Sequence, residues 1–359
     1  MTEASVLAEV RNHVGHLYLN RPAGLNALSM DMVQLLQRYL DTWATDSSVV
    51  AVVLRSSSEK AFCAGGDIRF LYDSFKAGDG QHMAFFEEEY ALDQSIHHYA
   101  KPIISLMNGL VLGGGMGLVQ GTRFRVVSEK VKMGMPETGI GYFPDVGGSY
   151  FLSRLAGGLG AYLAITGSTI RSADALYAGL ADYCVNSELL SEIDHGLNVM
   201  RWSERPGDDI ESLLKRVASN KLPGSELKAM RPAIDQHFLF NDLTSVIRSL
   251  QTENCGAYQD WAEATLEQIQ VRSPLAMSVS LELVRRGRSL SLEECFALEL
   301  HLDSQWFAAG DIMEGIRALI IDKDKKPQWQ PPNVADLDQA YVSGFFRAPL
   351  AQMVQSRQR

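Results

Sequence analysis

An α/β fold with a largely parallel sheet, giving way to helices in its C-terminal part, is what three features of this sequence predict. Continuous apolar, β-branched runs such as "VVAVVLRSS" and "PIISLMN" suit strands buried on both faces. Helical stretches separate those runs, and buried strands alternating with helices build parallel sheets. Beyond about residue 190 the strand-like runs stop and helical patterns take over.

Taken in order, "VLAEVRNHVGHLYLN" reads as a hairpin, because Val6, Ala8 and Val10, then Leu17 and Leu19, alternate with their neighbours. "SMDMVQLLQRYLDTWA" reads as a helix with Ser29 as N-cap and Val33, Leu36, Leu40 and Trp43 on one face. The strands "VVAVVLRSS" and "PIISLMN" follow, then a half-exposed "RFRVVSE". Between them lie the helix "AFFEEEYALDQSIHHYA" and a shorter one opening at the glycines of "NGLVLGGGMGLVQGT". Later helices include "SELLSEIDHGLNVMRW", "DIESLLKRVA", "SPLAMSVSLELVRRG" and "SLEECFALELHLDSQWFAAGD", the last opened by a capping box from Ser291 to Glu294. The polar, proline-bearing "IDKDKKPQWQPPNVADLDQAYV" predicts an extended end. The expected organisation is a core over residues 1–190, a helical region over 191–330 and a polar tail over 331–359.

With 359 residues and 46% hydrophobic composition the chain can bury a large core. Its net charge of −10 argues against broad nucleic-acid binding, which needs a basic face, but leaves room for a small anionic ligand held by local cations. Cys63, Cys184, Cys255 and Cys295 form no CxxC or dense framework, which points to a reducing compartment. No apolar run reaches membrane-spanning length, and the N-terminus shows neither a basic-then-apolar signal nor an Arg/Ser-rich transit pattern. A cytoplasmic protein with no membrane partner is the expectation.

Common catalytic signatures are missing: there is no GxSxG, Walker A, HExxH or GxGxxG string. His97 and His98 lack metal-site spacing, and no metal is expected. Two glycine clusters stand out instead, "FCAGGDIRF" and "NGLVLGGGMGL", each after a strand-like run. Loops at strand ends carry ligands in open α/β sheets. Such glycines serve either tight helix-on-sheet packing or an oxyanion hole, in which two N–H groups meet one carbonyl oxygen. A third stretch, "MPETGIGYFPDVGGSYFLSRL", sets Glu137 and Asp145 among apolar residues. Each acid alone fits a turn or a helix start. Together they offer acid or base groups in a dry surrounding, which raises carboxyl pKa values.

The order "NRPAGLNALS", "FCAGGDI", "NGLVLGGGMGL", "MPETGIGYFPDVGG" resembles the enoyl-CoA hydratase/isomerase, or crotonase, superfamily, over roughly residues 5–190. The PDVGG string and "DIMEGIRALIIDKDKKPQW" resemble its hydrolase branch and extend the likeness to about residue 330. The resemblance implies a spiral of repeated ββα units with a helical C-terminal region. It implies an acyl-CoA substrate, with coenzyme A as part of that substrate and no separate cofactor. It implies that the backbone N–H groups of Gly66 and Gly114 hold the thioester oxygen. The hydratases carry a second glutamate two residues after the GGG run, where this chain has Gly117, while Glu137 is retained. The hydrolase pattern adds Asp145 and an acidic residue in the preceding helix, matched best by Glu89 with Glu88 as the competing alignment. The implied activity is hydrolysis of a short 3-hydroxyacyl-CoA such as 3-hydroxyisobutyryl-CoA, a thioester of valine breakdown. Enoyl-CoA hydration or isomerisation is the alternative, and an acyl-CoA-binding protein without turnover a third reading. Trimers or hexamers are implied too. Arg21, Arg55, Lys60, Arg69, Lys323, Lys325 and Lys326 are candidate partners for the CoA phosphates.

Overall fold

The computed structural model describes residues 4–219 and 222–347. They form two compact units that are interleaved along the chain, where the sequence suggested a serial order. One unit draws on Met1–Asp67, Ala91–Met133 and Ile170–Lys228, the other on Ile68–Tyr90, Gly134–Thr169 and Ala229–Arg359. Local periodicity reveals the type of each element but not which elements share contacts.

Among the described residues nine short strands make two sheets: β1 (Val6–Arg11), β2 (Val14–Leu19), β3 (Ala51–Ser56), β4 (Ala61–Cys63), β5 (Ile103–Met107), β6 (Leu110–Leu112), β7 (Phe124–Val127), β8 (Lys132–Gly134) and β9 (Tyr183–Cys184). The larger sheet runs β1-β2-β3-β5-β7-β9 and the smaller β4-β6-β8. Only the predicted hairpin is antiparallel in the larger sheet, with Val6 opposite Leu19. From β2 onward the pairing is parallel, Leu17 facing Leu54 and Val53 facing Ile104. The pairs β3-β4, β5-β6 and β7-β8 repeat one plan, the first strand entering the larger sheet and the second the smaller.

The sequence runs explain this order. All five residues of β5 are buried, as are Ala51–Leu54 of β3, which fits strands covered on both faces. One face of the larger sheet is covered by the helices Leu190–Val199 and Pro206–Val217, through Ile193, Leu197, Ile210, Leu213 and Leu214 against Val53, Leu106 and Val126. The helix Met30–Thr45 starts where expected, the Ser29 side chain accepting the Met32 N–H, and buries Val33, Leu36, Leu40 and Trp43.

The second unit is helical from Gly148 onward, and among the described residues no strand lies beyond Cys184. Its longest helix, Leu292–Ala309, opens with the Ser291–Glu294 capping box. Helix Pro274–Gly287 packs on Gly148–Ser153 so closely that a Cβ on Gly287 would come within 1.9 Å of the Ser149 carbonyl oxygen. The expected extended tail is more structured than its composition suggests. Trp329 is buried and donates its indole N–H to the Val271 carbonyl at 3.1 Å. A turn at Val334–Asp336 and a helix at Gln339–Gly344 follow, with Val342, Phe345 and Phe346 buried. These apolar anchors outweigh the prolines around them. The remainder of the expected 331–359 tail, from residue 348, lies outside the described residues. No helix among the described residues is long and apolar enough to cross a membrane.

Candidate active site

In the first unit, β4 and β6 are parallel neighbours with Cys63 opposite Val111. Gly66 and Gly114 each stand three residues beyond that pair. Gly66 forms a parallel bridge with Leu28. The flanking groups make the bonds: the Leu28 N–H donates to the Gly65 carbonyl at 2.8 Å, and the Asp67 N–H to the Leu28 carbonyl at 2.9 Å. In such a bridge the N–H of the central residue points the other way. Gly114 is the first residue of the helix Gly114–Gln120, so its N–H has no partner within the helix. Among the described residues neither N–H donates a hydrogen bond inside the protein. The two loops are close, since a Cβ built on Gly65 would lie 4.0 Å from the Gly114 nitrogen.

The acids belong to the second unit. Glu137 opens the 3-10 turn Glu137–Ile140 and is 7% exposed, with an Oε2 that has no hydrogen-bond partner. Burial, then the neighbouring charge of Asp145, pushes its carboxyl well above the usual range, while Arg272 pulls the other way. Asp145 is buried and accepts from Tyr90 Oη at 3.0 Å and Tyr142 Oη at 3.4 Å. Both hydroxyls also lie within hydrogen-bond reach of a further acid, Asp303, Tyr90 Oη at 2.7 Å, and since each carries a single proton the four contacts cannot all be donated by the tyrosines at once. Two acids thus share two tyrosines, and burial raises the pKa of both.

A fourth acid fixes the loop that carries Asp145. Glu299 accepts the Gly147 N–H at 2.7 Å, the Ser149 N–H at 2.8 Å and the Ser149 hydroxyl at 2.5 Å. Val146 has φ of 50° and Gly147 81°, both left-handed. Glycine adopts this conformation freely, but for β-branched Val146 it is strained, so Glu299 holds the loop against its own backbone preference.

Burial lifts Glu299 to about 8 despite these donors. Stability follows with a definite sign. A carboxyl whose pKa is higher folded than unfolded stabilises fully below the unfolded value, and that contribution is lost as pH rises through the folded value. Melting temperature is therefore expected to fall from about pH 4.5, where the unfolded Glu299 ionises, to about pH 8, where the folded carboxyl ionises in a dry interior. Thermal unfolding across that range measures it, and a flat profile contradicts the burial-raised acids.

The sequence singled out Gly66, Gly114, Glu137, Asp145 and Glu89. Glu89 is 2% exposed on the helix Gln81–His97, whereas Glu88 is partly exposed. Tyr90, Tyr142, Glu299, Asp303 and Arg272 were missed. Glu299 and Asp303 carried a legible signal: two acids four residues apart on the face that buries Cys295, Phe296, Leu302 and Trp306. Of the proposed phosphate partners, Arg55 is held by both carboxylate oxygens of Asp194 at 2.5 and 2.7 Å, and Arg21 pairs with Asp67 at 3.0 Å. Arg69 reaches Asp73 at 3.9 Å, and Lys60 is exposed. Arg317 draws in Asp322 and Asp324 at 2.6 and 2.8 Å, while Lys323, Lys325 and Lys326 are exposed.

A family model for enoyl-CoA hydratase/isomerase matches residues 14–346. The chain is 35% identical to a chicken protein named 3-hydroxyisobutyryl-CoA hydrolase, mitochondrial, over 96% of this chain and 89% of the relative. A human protein of the same name is 34% identical over 96% and 88%. Among solved structures, one titled a carnitinyl-CoA dehydratase from Mycobacterium thermoresistibile superposes with a TM-score of 0.88, 36% identity and 97% coverage of both chains. Another, titled an enoyl-CoA hydratase from Rhodobacter sphaeroides, gives 0.87 and 33%, covering 97% of this chain and 98% of that one. The curated names correct the expected cytoplasmic location, since they point to mitochondria. Cysteine usage reports redox poise, and a reducing interior is common to both compartments. The fold is the expected crotonase spiral with its helical C-terminal region, and the chain belongs to the enoyl-CoA hydratase/isomerase family.

Proposed function

We propose that this protein is an acyl-CoA thioesterase that hydrolyses 3-hydroxyisobutyryl-CoA, or a similarly short 3-hydroxyacyl-CoA, to the free acid and coenzyme A, as in valine breakdown. The observation that carries the reading is a buried Glu137 with an unpartnered Oε2, electrostatically coupled to an Asp145 held by two tyrosine hydroxyls. The names of the curated relatives support it.

In this reading the Gly66 and Gly114 N–H groups receive the negative charge that develops on the thioester oxygen. Glu137 attacks the carbonyl to give a mixed anhydride and expel CoA thiolate, or acts as general base on an attacking water. Asp145, its pKa raised by burial, binds the 3-hydroxyl or supplies a proton to the leaving thiolate. Glu89 joins the substrate contacts. Trimeric or hexameric assembly and phosphate binding by the exposed lysines 323, 325 and 326 belong to the same proposal.

A hydratase is the second reading, favoured by the titles of the two solved structures. Gly117 stands against it, because water addition in that family pattern uses a second glutamate at this position. One acyl-CoA panel tests both. Thiol release is expected from 3-hydroxyisobutyryl-CoA, with little loss of crotonyl-CoA absorbance. Isobutyryl-CoA should be poorer by about a hundredfold or more in kcat/KM, because buried polar groups matched to a hydroxyl are left unpaired by its deoxy analogue. Crotonyl-CoA hydration without thiol release overturns the hydrolase reading, and equal kcat/KM for the two acyl groups removes the hydroxyl-binding role.

A further inference from the structure

Arg272 has no part in the chemistry described so far. It lies between the helices Gln259–Gln270 and Pro274–Gly287. The next residue, Ser273, donates its N–H to the Thr138 carbonyl at 3.1 Å, tying this junction to the turn that carries Glu137. The guanidinium lies against the same turn: a Cβ built on Gly139 would come within 2.0 Å of Arg272 Nη1 and 3.3 Å of its Cζ. Arg272 Nε is buried without a hydrogen-bond partner, and among the described residues no carboxylate forms an ion pair with this side chain. Arg272 is half-buried, and a guanidinium partly withdrawn from water without a counter-ion is costly. On the same turn, Glu137 presents a buried and equally unpartnered Oε2.

We infer that Arg272 is a positioning residue for Glu137, its guanidinium lying against the turn that carries this carboxyl and easing the ionisation that lets it attack or accept a proton. The inference rests on the thioesterase reading. Two charged groups act on Glu137: Asp145, which disfavours the anion, and Arg272, which favours it. Burial and Asp145 prevail and hold the carboxyl above its usual range, so Arg272 limits how far it rises. The absence of a side chain at Gly139 is what admits the guanidinium, so a methyl group there would displace it without removing its charge.

The test is the pH profile of kcat/KM for 3-hydroxyisobutyryl-CoA over about pH 5 to 9, which reports the ionisation of the free enzyme. Arg272→Gln is expected to move the acid limb upward by about one unit or more, the size of effect an adjacent opposite charge produces. Activity should recover towards the high-pH plateau. Arg272→Lys should leave the limb near its original place. Gly139→Ala meets only the far end of a flexible side chain, so it should fold normally and shift the limb in the same direction as Arg272→Gln, by less. The latter two variants keep the test valid if Arg272→Gln does not fold. A merely structural role lowers activity equally at every pH, and a role in holding CoA phosphates raises KM with the limb unmoved. Either result overturns the inference. Glu137→Gln is assayed alongside. If it is inactive while the limbs stay put, only the Arg272 inference fails; if it turns over normally, the thioesterase reading of the site fails with it.

Discussion

Replacing Glu137 with glutamine should lower kcat for thioester hydrolysis by about a hundredfold or more, the usual scale for loss of a positioned base. The substitution keeps size and shape and removes the capacity to carry charge. Folding should be unaffected, because burial already disfavours the ionised carboxyl and a neutral amide is no harder to bury. CoA affinity and melting temperature should therefore stay close to those of the parent protein while thiol release collapses. Near-normal thiol release would remove the central claim, leaving the acids of "MPETGIGYFPDVGG" as a turn and a loop. Hydroxylamine separates the two routes in the parent enzyme. Its attack on the enzyme-side carbonyl of a mixed anhydride leaves a hydroxamate on Glu137 itself, which direct cleavage of the thioester by hydroxylamine cannot give, whereas general-base attack by water leaves Glu137 unmodified.

Asp145 behaves differently because it is not isolated. Its two tyrosine partners also bind Asp303, so Asp145→Asn disturbs a network of two acids and two hydroxyls. Residues acting through such a network are not additive, and only paired substitutions apportion the roles. Glu137, with an oxygen that meets no donor, is the cleaner probe.

Much of this arrangement was legible in the sequence because it is local. The strands β3 and β5 announce themselves as unbroken apolar runs, and the capping box at Ser291–Glu294 needs only four residues to be read. Gly66, Gly114, Glu137 and Asp145 sit in short motifs whose order carries the family likeness. What stayed hidden depends on contacts between distant stretches. Tyr142 and Asp303 are 161 residues apart, and nothing in "GYFPDVGG" reveals that a late helix supplies the tyrosine's partner. Arg55 looked like a free cation for phosphate until Asp194, 139 residues further on, proved to hold it. In the sequence Arg272 is a single charge before a Ser-Pro helix start and carries no signal of its own. Its meaning lies in the empty space above Gly139, and empty space has no sequence signature. The two interleaved units follow the same rule, since contact partners are set by packing rather than by neighbours along the chain.

The second large effect is expected at Gly114. The reading assigns its N–H to the thioester oxygen, and a backbone donor can be deleted only by proline. The site suits that experiment unusually well. Gly114 is the first residue of its helix, the position where proline is best tolerated and where the missing N–H breaks no helical bond. The preceding residue, Gly113, has φ of 49° and ψ of −120°, away from the right-handed helical region that a following proline disfavours. Gly114→Pro should therefore fold, with a melting temperature near that of the parent, and lose about a hundredfold to a thousandfold in kcat, the range seen when one oxyanion donor is removed. The pyrrolidine ring also occupies the space towards which the N–H pointed, so a rise in KM is expected with it. Glu137→Gln removes the group that attacks or activates water, whereas Gly114→Pro removes stabilisation of the charge that attack creates. Both losses act on the same transition state, so the double variant should be little worse than the weaker of the two single variants. A folded Gly114→Pro protein with undiminished thiol release would show that this N–H does not face the reacting oxygen, and the glycine run would then serve only the close packing of the helix on β4, where a Cβ at Gly115 would come within 2.8 Å of the Cys63 carbonyl oxygen.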